Sequence, residues 1–541
     1  MIDTNERRLR TGEFFTPLEI ARLGLKYLER VVDIQSDRLR LWDMAAGTGN
    51  LERVLPAEML SRCYISTLLD DDADHCRALF PQATVFQYDY LNDGEEKLPP
   101  KLRADLQNPA LKWIVFVNPP YATSNNPERS ADKVNKNTVS MTKIRELMTT
   151  NGMGEVSREL FSQFLYRIDR LFRDRQTILG LFSTLKYMTA TNDQKLRDKI
   201  FDYKFEGGFV FSSTHFQGTK GRFSVGFLIW NLDRHIPLSK QKIKLDIFDD
   251  RLDKIGLKRI KSVSRDDFLS KWIKRPPATK KFPPFSNALT ITCDNKDRRD
   301  RIADAFLASF MSKGNDFANQ NYNALLSGPY VSAGAFSIVP ENFEQAMIVH
   351  AVRRLPKATW LNDKDQFLRP TKKLPREFVT DCVVWSLFAS SNNTASMCNV
   401  EYEGETYRIK NNLYPFSIDE IDQWQCSMPE LFYALEDEED RFAARRLQEY
   451  ELSEEANAVL DSARPIYREF YAQLIELDRK QFRLEAWDVG WYQVRNALKD
   501  AGLLTPELLA PFRAAFERLG EKLLPQIYSL GFLRDEVTYF D

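Results

Sequence analysis

Four residues ending an apolar run, Asn118-Pro119-Pro120-Tyr121 in "WIVFVNPPYATSNN", combine acceptors, rigidity and an aromatic face. An exocyclic amine on an aromatic ring is a poor nucleophile, because its lone pair is delocalised into the ring. Acceptors on its two hydrogens, here the Asn118 side-chain oxygen and the Pro119 carbonyl, favour a pyramidal nitrogen whose lone pair is available. The prolines restrict the backbone and hold those acceptors in place, which is electrostatic preorganisation. Tyr121 can stack on a planar base, a contact worth roughly 1–3 kcal/mol. The proton leaves after alkylation, so no strong base is required nearby. A planar amide presents the same hydrogens, and the four letters alone admit several substrates.

Upstream, "LWDMAAGTGN" reads as a strand ending at Asp43, followed by a turn into a helix. Gly47 and Gly49 let the backbone approach a ligand closely, as a side chain would not. Two further strand ends carry acids: Asp70 in "STLLDDDAD", and Asp89 between Tyr88 and Tyr90 in "FQYDYLND". A carboxylate at the second strand can accept from ribose hydroxyls. One at the third can accept from an adenine amino group, with an aromatic neighbour packing on the ring. Each acid is also a common helix cap; their recurrence in register is the informative feature.

The elements that must position these residues alternate through the first 235 residues. "PLEIARLGLKYLERVVD", "ADHCRALF" and "GEVSRELFSQFLYRIDRLFR" have helical periodicity. "LRLWDM", "CYISTLL", "TVFQYDY", "WIVFV" and "TILGLFST" read as strands, and "GGFVFSS" with "FSVGFLIWNL" as a hairpin. This predicts an α/β fold: a Rossmann-like, doubly wound sheet with an antiparallel hairpin, whose ligands sit at the carboxyl ends of the strands. The expected domains are 1–235, a basic linker over 236–285, an α+β region over 286–416 and a helical region over 417–541. A long polar stretch from Ala122 to about Thr150 reads as a functional loop that orders on a partner.

The bulk properties narrow the class. The 541 residues, 43% apolar and 12% aromatic, suffice for several cores. No apolar run is long enough for a membrane span, and "MIDTNERRLR" is not a secretory signal, so a cytoplasmic protein is expected. The six cysteines have no metal-ligand spacing and there are four histidines, so no metal is expected. Net charge is −1, but 237–281 holds fourteen Lys and Arg against six Asp. Such a block is either a phosphate-facing surface or a solvated face.

Taken together, "TGEFFTP", "DMAAGTG" and NPPY, in that order, resemble the gamma class of S-adenosylmethionine-dependent DNA adenine-N6 methyltransferases. The resemblance covers about residues 11–232. Met44 and Ala46 depart from the family's proline and cysteine, and "LLDDD" departs from its acid-hydrophobic-acid pattern, leaving Asp71 as an alternative to Asp70. The resemblance implies that Phe15, Thr16 and Pro17 border the methionine part of the cofactor and that Asp43 binds near its amino group. It also implies backbone contacts from Ala45, Gly47 and Gly49, ribose binding by Asp70, and adenine binding by Asp89 with Tyr90. Asn118, Pro119, Pro120 and Tyr121 are then catalytic, Phe216 meets a flipped target base, and Lys220 and Arg222 meet phosphates.

The resemblance further implies double-stranded DNA as partner, the region 286–416 as base reader, and a stand-alone enzyme of a restriction–modification, defence or mobile-element system. A monomer is expected, with a partner subunit left open. Related NPPY enzymes acting on RNA adenine or protein glutamine, and a non-catalytic DNA-binding subunit, remain alternatives. The few residues before the first motif leave no expected room for an N-terminal nuclease.

Overall fold

The computed structural model describes residues 15–121, 141–216, 221–292, 299–331, 334–432, 435 and 438–540. The apolar runs form strands where the pattern predicts them: β1 Leu39–Asp43, β2 Cys63–Thr67, β3 Thr84–Gln87, β4 Lys112–Val117, β5 Thr177–Thr184, β6 Tyr203–Ser212 and β7 Ser224–His235. The chain then adds β8 Ile243–Phe248, β9 Lys254–Ile260 and, near its end, β16 Glu536–Tyr539. These make one ten-stranded sheet in the order β16-β9-β8-β6-β7-β5-β4-β1-β2-β3.

From β3 through β2, β1 and β4 to β5 all neighbours are parallel, while β7 runs antiparallel to both β5 and β6. The order reverses between β1 and β4. Their carboxyl ends therefore open a crevice at the switch point, the usual ligand position in such sheets.

Both faces of the sheet are covered. Along β4, Trp113, Val115 and Val117 join one core, while Ile114 and Phe116 join the other. The helix Leu160–Phe172 covers the first face with Phe161, Phe164, Leu165 and Ile168. The helix Leu18–Leu28 covers the second with Ile20, Ala21, Leu25 and Leu28, and Pro17 is its N-cap residue. This is the expected α/β, doubly wound sheet with its antiparallel hairpin.

The chain divides into two compact units: Met1–Arg265 with Thr359–Asp365 and Arg534–Asp541, and Asp266–Ala358 with Gln366–Leu533. The segment expected as a basic linker, 236–285, supplies β8 and β9 to the sheet of the first unit. Ile243, Leu245 and Ile247 point inward between exposed Lys242 and Lys244, a strand alternation beneath the charge. Many of its cations face acids: Lys254 pairs with Asp246, Arg259 with Glu536 and Lys280 with Asp304.

Lys258, 1% exposed, points into the first unit, where its Nζ donates to the Leu361 carbonyl and to Asp365. The Lys261 N–H donates to Asp535 at 2.9 Å. Burial, with the charge of Asp365 beside it, pushes Asp535 up to about 8. Lys258 thus holds the returning segment 359–365 where the last strand also joins.

The second unit carries β10 Ala308–Ser312, β11 Asn323–Leu326, β12 Phe336–Ile338 and β13 Asn392–Asn393 in the order β12-β10-β11-β13, and the hairpin of β14 Met397–Tyr402 with β15 Glu405–Ile409. One core joins Phe310, Leu325 and Phe388 to Tyr467, Trp491 and Phe512, so the expected boundary at 416/417 runs through a continuous core. The stretch 122–140 lies outside the described residues, and the end of the expected polar loop is the helix Lys143–Thr150, capped by the Thr142 hydroxyl. Among the described residues no helix is long and apolar enough to cross a membrane.

Replacing Lys258 by Met leaves two buried carboxyls without their cation. Breaking a buried pair of this kind costs about 3–5 kcal/mol. Lys258→Met is therefore expected to lower resistance to urea by that order and to speed protease cleavage within 359–365. An unchanged urea midpoint would contradict the role given to Lys258.

Candidate active site

The crevice is built outward from the end of β1. Asp43 is fully buried, and its Oδ1 accepts the Ala45 N–H at 2.8 Å, which starts the turn. The Ala46 N–H donates to the Ser66 carbonyl at 3.1 Å, tying the turn to β2. Gly47 and Gly49 have φ of +54° and +77°, backbone that side chains rarely tolerate. A Cβ on Gly49 would lie 2.5 Å from the Phe80 ring, and one on Gly47 would meet the Phe15 ring at 3.4 Å. Phe15 therefore lies along the glycine turn, with much of its own ring exposed.

Thr16 joins this turn to the corner after β4. It is buried; its carbonyl accepts from Asn50 Nδ2 at 3.0 Å and its Oγ1 accepts from Asn118 Nδ2 at 3.0 Å. The Asn118 Oδ1 accepts the Tyr121 hydroxyl at 2.8 Å. With its amide nitrogen on Thr16, Asn118 has its oxygen turned to Tyr121. Pro119 is buried and Pro120 half-buried. Burial pushes the Tyr121 phenol above its usual range, so the hydroxyl stays a donor.

The strand-end acids are placed differently from one another. Asp70 is exposed and opens the helix Asp70–Leu79 just beyond β2. Asp89 follows β3, and its oxygens accept from the N–H groups of Leu91 and Asn92 and from Asn92 Nδ2, at 3.0, 3.1 and 2.8 Å. An ionised carboxylate offers about four acceptor positions, so one more donor can be taken. Tyr90, expected against a ligand ring, is buried in the core, stacked on Phe164 at 5.0 Å between centroids. Arg167 lies over the Tyr88 and Tyr90 rings and donates to the Tyr90 carbonyl, holding this turn from beneath.

At the hairpin, Phe216 is 2% exposed and meets Tyr121 edge to face at 6.4 Å. It is a wall of the corner and part of the core at once. Arg222 pairs with Asp250 at 2.9 Å, donates to Ser212 Oγ at 3.0 Å and stands over Trp360 at 5.7 Å. The position expected to meet phosphate is thus engaged within the protein. Lys220 lies outside the described residues.

Sequence reading passed over Glu52. It is 1% exposed beneath the glycine turn, in "GTGNLERV", and its carboxyl interacts with that of Asp43. Asp43 Oδ2 and both Glu52 oxygens are buried without a well-formed hydrogen bond among the described residues. Burial pushes Asp43 up to about 7; burial, with the Asp43 charge second, pushes Glu52 well above the ordinary carboxylate range. The two buried carboxyls lie together beneath the glycine turn. The spacing gave no sign of it, since Glu52 reads as an exposed residue on a helix.

No protein-family model matches the chain, and no curated protein matches it. Among solved structures, it is similar to the ATP-dependent type ISP restriction–modification enzyme LlaBIII bound to DNA, at 11% identity over 43% of this chain and 19% of that one, with a TM-score of 0.30. It is similar to the type I restriction–modification methyltransferase subunit from Streptococcus thermophilus, at 12% identity over 43% of this chain and 46% of that one, TM-score 0.31. It is also similar to the M protein of the type I restriction enzyme EcoKI, at 13% identity over 43% of this chain and 48% of that one, TM-score 0.28. The match spans less than half the length of each of these chains.

The raised carboxyls have a consequence for stability. In the unfolded chain these groups lose their protons near pH 4, whereas the folded protein keeps protons on them towards neutrality. The contribution of Asp43 is complete below about pH 4 and is lost as pH rises through about 7, and that of Glu52 persists to higher pH. Glu52→Gln is therefore expected to melt with a shallower pH dependence than the wild type between about pH 5 and pH 8. Parallel curves of melting temperature against pH would contradict the pairing. Asp193 and Asp535, raised to about 6 and about 8, act equally in both proteins.

Proposed function

We propose that this chain is an S-adenosylmethionine-dependent DNA methyltransferase that modifies the N6 amino group of a flipped-out adenine. The observation that carries the reading is Thr16, whose carbonyl and hydroxyl oxygens join Asn50, beside the glycine turn, to Asn118. Three segments distant in sequence thereby meet at one crevice. The residues present suit the cofactor. Gly47 leaves backbone uncovered at the turn, Gly49 lets the turn close on Phe80, and Asp43 Oδ2 suits an α-amino group. Exposed Asp70 suits ribose hydroxyls, Asp89 retains acceptor capacity for an adenine amino group, and Phe15 lines the methionine side.

Bound S-adenosylmethionine supplies an electrophilic methyl group on sulfonium. The protein's part is to hold the amine. Asn118 Oδ1, which also takes the Tyr121 hydroxyl, and the Pro119 carbonyl are the two acceptors of the corner. With its hydrogens on these two oxygens, the amine nitrogen presents its lone pair in the direction the corner fixes. Tyr121, braced by Phe216, stacks on the base. Extruding an adenine from a duplex costs a few kcal/mol of unstacking, which these contacts and DNA contacts elsewhere offset. Base reading is assigned to the region 286–416, and a modification role in a restriction–modification, defence or mobile-element system completes the reading.

Asn118→Ala is expected to reduce methyl transfer by at least about a hundredfold, the scale for losing one preorganised electrostatic contact. Binding of S-adenosylhomocysteine should change little. The assay follows labelled methyl groups from the cofactor into plasmid DNA, RNA and total protein. Transfer into RNA or protein alone would overturn the choice of DNA, and full activity in Asn118→Ala would overturn the catalytic assignment.

A further inference from the structure

The resemblance assigns a role to Asp43 and none to Glu52, yet the two form one structural feature. Glu52 begins a short 3-10 turn, Glu52–Val54, directly after the glycine turn, and its carboxyl is turned inward to that of Asp43. A buried carboxylate is ordinarily held by a cation or by several donors. Asp488 obeys that rule: it is fully buried and held by Arg408 and Arg441 at 2.8 and 2.7 Å. Among the described residues, no cation pairs with Asp43 or Glu52.

The surroundings supply no substitute. From β2, Cys63 faces Glu52; from the helix Asp70–Leu79, Cys76 faces both acids and also senses the charge of Asp72. Burial keeps both thiols uncharged, and their sulfurs donate to the carbonyls of Met59 and Gly47. Arg53 reaches His75, and Arg62 is spent on the carbonyls of Ile34, Gln35 and Ser36. The pair is therefore two acids in a dry setting, with open oxygens next to a turn that admits a ligand.

We propose that Glu52 and Asp43 together seat the ligand's α-ammonium group, sharing one proton in the free protein and releasing it when the ammonium binds. This rests on reading the crevice as an S-adenosylmethionine site. Two like charges in contact cannot both persist in a buried site, so one carboxyl keeps its O–H bond. An arriving ammonium opposes that proton by its charge. The O–H bond breaks, the proton passes to solvent, and two carboxylates face one ammonium. Glu52 is a positioning residue here: it holds Asp43 and makes cofactor affinity depend on pH.

The test uses the full chain and two probes, S-adenosylhomocysteine, which carries the amino-acid tail, and 5′-methylthioadenosine, which lacks it. Calorimetric titrations in buffers of different ionisation heat count the protons released. For the wild type, S-adenosylhomocysteine affinity should rise between about pH 7 and pH 8, where the pair holds a single proton, approaching tenfold per unit for one released proton. Methylthioadenosine should bind without release. Glu52→Gln should bind methylthioadenosine as the wild type does, which also shows an intact pocket. It should bind S-adenosylhomocysteine at least about tenfold more weakly, with at most half the proton release, the scale of one lost charge contact. Wild-type affinity and release in Glu52→Gln, or no release by the wild type, would overturn the role of Glu52. A wild type that binds neither probe would instead overturn the cofactor reading.

Discussion

Thr16 accepts hydrogen bonds on two of its own oxygens, and the geometry of the crevice is referenced to them. A hydroxyl and a carbonyl on one buried residue fix the asparagine of the glycine turn and the asparagine of the proline corner relative to each other. Hydrogen bonds are stronger and more directional away from water, so two of them over-determine the separation of the segments. They can form only because β1 and β4 are parallel neighbours whose carboxyl ends emerge side by side. The switch in strand order thus brings the proline corner and the glycine turn to one opening.

The way the protein treats buried charge separates scaffold from site. In the second unit Asp488 is surrounded by two guanidinium groups and also accepts the Asn411 N–H at 2.9 Å, an arrangement that fixes one packing. In the first, Lys258 does the same for Asp365. Asp43 and Glu52 receive no such compensation, although they are buried as deeply. Beside the glycine turn, then, the fold leaves an acid pair without the cation it provides for Asp488 and Asp365. Perturbed carboxyls beside an opening concentrate at functional sites for this reason.

Much of this was legible in the sequence. β5 spans the eight residues the apolar run marks out, and Asp43, Gly47, Gly49 and Asn118 stand at the strand ends where pattern put them. Legibility failed where a strong local signal masked a weaker one. The lysines of 237–281 drew attention from the alternation of Ile243, Leu245 and Ile247, which is what makes β8 a strand. Asp89 and Asn92 have turn-forming spacing, and the structure uses it, leaving Asp89 partly engaged. Tyr90 is an aromatic in the right place whose ring the core claims. Glu52 could not be foreseen, because its burial is created by β2 and the helix after it. Nor could the return of 359–365, which depends on one buried lysine rather than on any pattern.

That return has a consequence for how the protein comes to be folded. The sheet of the first unit is assembled from three separate stretches of chain, and its outermost strand, β16, is made only after the chain of the second unit. Until then β9 is an open edge, with unpaired backbone donors and acceptors able to recruit a foreign strand. The second unit is synthesised almost entirely within that interval. The exposed Lys254 and Arg259 on β9 stand where edge charges discourage such pairing. The basic character of this segment therefore also serves as protection for an unfinished sheet during synthesis.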